Sequence, residues 1–284
     1  MAQEKLKTDA AIIFSDILLI LEPMGLSLDY LQGDGPSIKK AVRDSKAVEA
    51  LKKVDATQSL SFVFQAIREA RQKLKSNIPL IGFAGAPFTL ASYMIEGGST
   101  LHFTETKKFM KNDLLLWEML MQKIVQSTIS YLNAQIDAGV QAIQIFDSWA
   151  GVLNGEEYAE FAAPHTHALI RGIQKGTPVI HFSTKTGSFL EKISAAGGDV
   201  IGVDSHIALD QAWKKIGYHK AIQGNLDPQI LCADFKEIQF HIRRILKEAG
   251  GRPGHIFNLG HGVLPQTPMK NVQALVEMVH EFGQ

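Results

Sequence analysis

The chain is built from short, continuous apolar runs separated by longer stretches of helical spacing, and that alternation sets narrow limits on its fold. The runs are Ala11 to Phe14, Pro79 to Phe83, Gln141 to Phe146, Pro178 to Phe182, Val200 to Val203, Ala221 to Gln223 and Ile256 to Leu259. Between them, apolar residues recur at helical spacing over Ser59 to Lys75, Leu114 to Ala138 (closed by Gly139), Ala208 to Ile216, Phe235 to Ala249 and Met269 to Phe282. Strands that are apolar on both faces must be covered on both faces. The pattern therefore predicts a parallel sheet wrapped by helices. Ser27 to Leu31, beside the turn Gly33-Asp34-Gly35-Pro36, reads as a peripheral hairpin.

Such a sheet is either open and doubly wound or closed into a barrel. No glycine-rich dinucleotide fingerprint follows any strand. Gly82-Phe83-Ala84-Gly85 lacks the third glycine and the later acidic residue. Polar residues instead collect just past strand ends: Asp16, Ser148, Asp204, Asn225 and His261. In a barrel those ends share one mouth, where active sites sit. The expectation is a single α/β domain over residues 1–284, a TIM (β/α)8 barrel. Seven strands are legible where eight are needed, and the first begins at Ala11, so the first barrel strand is expected to be missing. Met1 to Leu6 reads as the helix that would follow it.

Composition removes several function classes. Lys+Arg and Asp+Glu both number 29, so no global positive field draws the chain to nucleic acid. The single cysteine, Cys232, rules out an intramolecular disulfide and a zinc site built on thiolates, so no metal is expected. No apolar run approaches the roughly 18 residues of a membrane helix. The apolar N-terminal stretch is broken by Asp9 and Asp16, unlike a signal peptide. A cytoplasmic location is expected.

Six strings, in order along the chain, carry a resemblance. They are Asp9 to Leu18 (DAAIIFSDIL), Pro79 to Leu90 (PLIGFAGAPFTL), Tyr93 to Gly98 (YMIEGG), Phe146 to Gly151 (FDSWAG), Gln223 to Pro228 (QGNLDP) and Asn258 to Gly262 (NLGHG). Together they resemble the uroporphyrinogen decarboxylase family. The resemblance implies a cofactor-free carboxy-lyase of haem biosynthesis, acting on uroporphyrinogen as a homodimer. It would remove four acetate carboxylates to give coproporphyrinogen. Two departures stand out. The family's N-terminal R-Q-A-G-R-Y motif, whose arginines the resemblance assigns to substrate carboxylates, does not precede Lys7. Asp204-Ser205 stands where the family commonly has Asp-Trp.

Decarboxylation leaves a carbanion-like centre that needs an electron sink. Many enzymes recruit a cofactor for it. A pyrrole protonated at a ring carbon can be its own sink, provided the protein stabilises positive charge at the ring nitrogens. The resemblance gives that task to Asp16, an acceptor-only carboxylate just past a buried strand. The plain alternative is an N-cap for a helix from Ile17 to Met24. Tyr93 could bond a substrate carboxylate or Asp16, or be a half-buried tyrosine with its tip in water. Ser148 could donate to a propionate or acetate, or serve as a turn or cap. His261, between glycines, could donate to a carboxylate or shuttle a proton, or satisfy loop carbonyls. Phe83 packs against the macrocycle by resemblance and is barrel core by pattern.

A polyanionic substrate also needs cations, and the strand-end candidates are Lys185 and His181. Arg43, Arg68, Arg71 and Arg171 fall on helices or connections, where solvated faces are the default. Two other readings stand beside the decarboxylase. One is a truncated, inactive porphyrinogen-binding homologue. The other is a methyltransferase of the same superfamily, which the single cysteine and the absence of an H-x-C pattern disfavour.

Overall fold

The computed structural model describes residues 2–31, 35–98, 100 and 102–283. Its strands are β1 (Ala11–Ile12), β2 (Leu28–Leu31), β3 (Gly35–Ile38), β4 (Leu80–Gly85), β5 (Ala142–Asp147), β6 (Val179–Ser183), β7 (Val200–Gly202), β8 (Ala221–Leu226) and β9 (His255–Leu259). Seven of them form one sheet in the order β1-β4-β5-β6-β7-β8-β9. Every pairing in it is parallel, as the continuous apolar runs require. The sheet curls into an incomplete barrel. Among the described residues, β1 and β9 pair on one side only, as a barrel short of one strand must. Their edge residues Ile12 and Ile256 are 48% and 41% exposed.

The helices form where the periodicity places them: Leu114–Ala138, Phe235–Ala249 and Met269–Phe282 occupy the expected residues. Gly139 ends the first of these with φ 116°, a conformation that suits glycine. That helix buries Trp117, Leu120, Met121 and Ile124 in the core, and the Trp117 indole donates to the Phe161 carbonyl at 3.1 Å. Each such side chain contributes about 1.5–3 kcal/mol on burial.

The hairpin expected after Ser27 is present as antiparallel β2 and β3. Gly33 and Asp34 of its turn lie outside the described residues. The hairpin is fastened to the end of the Pro87–Glu96 helix, where the Ile38 N–H donates to the Gly97 carbonyl at 2.8 Å.

On the open side, the Ala2–Leu6 helix packs on Met269–Phe282. Gln273 reaches the Lys5 carbonyl at 3.3 Å, and His280 Nε2 lies 2.9 Å from Asp9 Oδ2. The N-terminal segment is thus tied to the last helix across the gap in the sheet.

Candidate functional site

Alternation along the strands sorts side chains into two layers. Ile81, Gln144, Phe146, Phe182 and Gln223 point inside the curl and line a cavity of about 1570 Å³. The cavity runs out through the open side to Val272, Leu275 and Val279 of the last helix. Phe146 and Phe182 make its interior wall aromatic, and Phe83, which does not line the cavity, packs on Phe146. Phe83 meets Phe146 edge-on at 5.5 Å between ring centres, and Phe146 meets Phe182 at 5.8 Å. Across this wall Gln223 donates to Gln144 at 3.3 Å.

Asp16 lies in the turn that follows β1. It starts no helix from Ile17 to Met24, because only a short 3-10 turn, Leu19–Leu21, forms there. It does make a local turn: Oδ1 accepts from the Leu18 N–H at 2.7 Å, and its carbonyl accepts from Leu19 at 3.2 Å. Two phenols are near enough to feel its charge. One is Tyr30, from β2. Partial burial, then the charge of Asp16, raise the Tyr30 pKa to about 12. Tyr93, half-buried on the Pro87–Glu96 helix, is raised by burial and further by Asp16, against a lowering from the Trp149 indole. Asp16 is not among the residues lining the large cavity; Ala11 and Ile12, which precede it, are.

Ser148 and His261 both line the cavity, on opposite sides of the curl. Ser148 follows β5 and caps no helix, since the 3-10 turn after it has Trp149 at its N-cap with no side-chain bond. His261 is exposed just past β9. Of its flanking glycines, only Gly260 is sterically required: a Cβ there would stand 2.5 Å from the Ser205 nitrogen. Phe83 is buried against the aromatic wall. The structure therefore brings Ser148, His261, Phe146 and Phe182 to one cavity, while Asp16, Tyr93 and Phe83 do not line it and Tyr93 feels the charge of Asp16.

One strand-end expectation is overturned. His181 is fully buried behind the sheet, because its neighbour Phe182 takes the inward position. It cannot offer a charge to the cavity. Lys185 is exposed at the end of β6. Its N–H, at φ 57°, is held by Asp204 Oδ2 at 2.6 Å. The same oxygen lies 2.9 Å from His206 Nδ1, which brings an exposed histidine that sequence reading missed to the same rim. Asn225 fixes this rim from β8 by donating to the carbonyls of Asp204 and Ile207 at 2.8 and 2.6 Å. Arg43 and Arg71 are engaged with backbone carbonyls at helix ends, Arg43 on Ile95 and Arg71 on Leu74 and Ile78. Among the described residues, no three His, Cys, Asp or Glu side chains stand close enough to hold a metal ion. Among the same residues, no helix is long and apolar enough to cross a membrane.

A family model described as uroporphyrinogen decarboxylase (URO-D) matches residues 1–282. A uroporphyrinogen decarboxylase of Solibacter usitatus is 51% identical over 280 residues, which are 98% of this chain and 81% of that protein. Another, of Sorangium cellulosum, is 48% identical over 279 residues, with 98% and 80% covered. Among solved structures, a methyltransferase from Methanosarcina mazei matches with a TM-score of 0.86 at 20% identity, covering 99% of this chain and 83% of its own. At that identity the likeness concerns the fold alone.

Proposed function

The chain belongs to the uroporphyrinogen decarboxylase family, and on that premise we propose that it converts uroporphyrinogen III to coproporphyrinogen III by removing four acetate carboxylates. Each acetate loses its carboxylate as carbon dioxide, and its remaining methylene carbon gains one proton, becoming a methyl group. No oxidant or reductant is consumed. Protonation at a ring carbon turns the pyrrole into a cation that accepts the electron pair released with carbon dioxide.

The observation that carries this reading is the setting of Asp16. Its carboxylate is tethered by a backbone N–H just past β1 and bordered by Tyr30 and Tyr93. A carboxylate fixed in this way can accept hydrogen bonds from the pyrrole N–H groups and favour the cation without reorganising. In the same proposal Tyr93 and Ser148 bind carboxylate side chains of the substrate, His261 donates to one, and Phe83 packs on the macrocycle. We assign residues 1–284 to one domain, supported by a single continuous core. The protein acts in the cytoplasm, where one cysteine suits a reducing compartment, and as a homodimer. Sedimentation of the purified chain at twice its 31.2 kDa mass supports the dimer, and sedimentation as a monomer removes it.

The test is to incubate the pure protein with uroporphyrinogen under reducing conditions and follow coproporphyrinogen by chromatography. Product forming in proportion to enzyme supports the reading. Among the described residues β1 and β9 have unpaired edges, which favours a second reading, porphyrinogen binding without turnover. A folded protein that binds substrate and forms no product would replace the first reading with the second.

A further inference from the structure

Asp147 ends β5 on the face turned away from the cavity, and it is fully buried. Fully buried His181 stands beside it, with Nε2 3.9 Å from Asp147 Oδ2. His181 Nδ1 is 3.3 Å from the Gly197 carbonyl. A carbonyl only accepts, so Nδ1 carries a hydrogen and Nε2 is turned to the carboxylate, too far to hydrogen-bond it. Burying a carboxylate costs several kcal/mol, and an apolar residue of similar volume often serves a core as well or better. Core stability therefore gives no reason for Asp147.

Its contacts supply one. Asp147 Oδ1 accepts from the Thr89 hydroxyl at 3.0 Å, and the same hydroxyl oxygen accepts from the Trp149 N–H at 3.2 Å. Thr89 has a single hydroxyl hydrogen. An acceptor-only carboxylate draws that hydrogen to itself and leaves a lone pair for Trp149. On the other side of the same peptide unit, the Thr184 hydroxyl donates to the Ser148 carbonyl at 2.6 Å. The Ser148–Trp149 peptide plane is thus fixed at both its N–H and its C=O. Ser148 lines the cavity, and the Trp149 ring lies 5.7 Å from Tyr93 and 4.9 Å from Phe103.

We propose that Asp147 is a positioning residue: through Thr89 it sets the Ser148–Trp149 peptide, and with it the Ser148 hydroxyl and the Tyr93 wall that receive substrate carboxylates. The proposal rests on the decarboxylase reading for the identity of the substrate. Its test uses two readouts so that the two can fail separately. One is steady-state turnover of uroporphyrinogen. The other is binding of uroporphyrin, the oxidised and unreactive form, followed by quenching of tryptophan fluorescence.

Asp147→Leu and Thr89→Val are expected to stay folded by circular dichroism. Each should raise KM and the uroporphyrin Kd about tenfold, the scale of one lost hydrogen bond to a charged group, with kcat within about twofold. Asp147→Asn can still accept from Thr89 through its amide oxygen, and should rescue both constants to within about threefold. Because both residues act through one chain of bonds, the double variant should lose no more than the worse single. Wild-type constants in Asp147→Leu, no rescue by Asp147→Asn, or multiplied losses in the double variant would each overturn the proposal. Wild-type binding without turnover would sink the decarboxylase reading and leave this one to the binding data. No wild-type binding would overturn both.

Discussion

His255 opens β9 with its Nε2 donating to the Gly224 carbonyl at 3.0 Å. Burial lowers its pKa below the ordinary 6.5, and that carbonyl only partly opposes the shift. The unfolded chain therefore takes up the proton at a higher pH than the folded chain does. Above about 6.5 neither state holds it and the contribution to stability is complete. As pH falls below that value the unfolded state binds more protons, and stability is lost. His165 shifts the same way through burial. The melting temperature should fall from pH 7.5 to pH 5.5, and His255→Gln should flatten that slope. An unchanged slope would contradict the assignment. Single residues also mark where sequence reading stops. His181 sits between Ile180 and Phe182, both apolar, so the run hides which residues face inward. Asp16, Tyr93, Ser148 and His261 stand in the strings that carry the family resemblance, so the sequence offers them as candidates. Tyr30 is not among them, since only the tertiary placement of its hairpin brings it to Asp16.

Among the elements, β1 departs most from expectation. The apolar run Ala11 to Phe14 reads as four strand residues, and only Ala11–Ile12 qualify. After Ile13 bonds to the Ile81 carbonyl at 3.0 Å the chain bends away, and Phe14 is left 97% exposed. The backbone of Phe83 on β4 then loses a strand partner. Gln135 of the long helix replaces it, accepting from the Phe83 N–H at 3.0 Å and donating to its carbonyl at 2.9 Å. Gln135 is fully buried, yet in sequence it is only one polar residue near a helix end. No periodicity identifies a side chain that stands in for a strand. Helix limits were legible for the opposite reason, because Gly139 and the apolar stripe are local signals. Gln135→Leu leaves two buried backbone groups unpaired and should cost about 2–4 kcal/mol. Urea unfolding measures it as a lower midpoint, and an unchanged midpoint would contradict the role given to Gln135.

For the whole molecule, the defining feature is a parallel sheet paired on both sides only in its middle. β5 and β6 lie between neighbours on each side, while β1 and β9 are the edges. Local opening follows such differences, since edge strands are lost before central ones. Hydrogen exchange should be slowest at Ile143 to Phe146 and Val179 to Phe182, and fastest along β1 and β9. Equal protection across the sheet would mean that the edges are covered. The strand count and its shortfall of one were readable from the sequence, because each run is a local signal. The tie between Asp9 and His280 across the open side was not, since the two are 271 residues apart. The proposed function depends on what one acid, Asp16, does just past β1. The most direct measurement compares the native chain with Asp16→Asn for conversion of uroporphyrinogen to coproporphyrinogen, with circular dichroism confirming that both are folded. Loss of a preorganised charge at the reacting ring predicts a fall in kcat of about a hundredfold or more for Asp16→Asn. Equal rates in the two proteins would contradict the account.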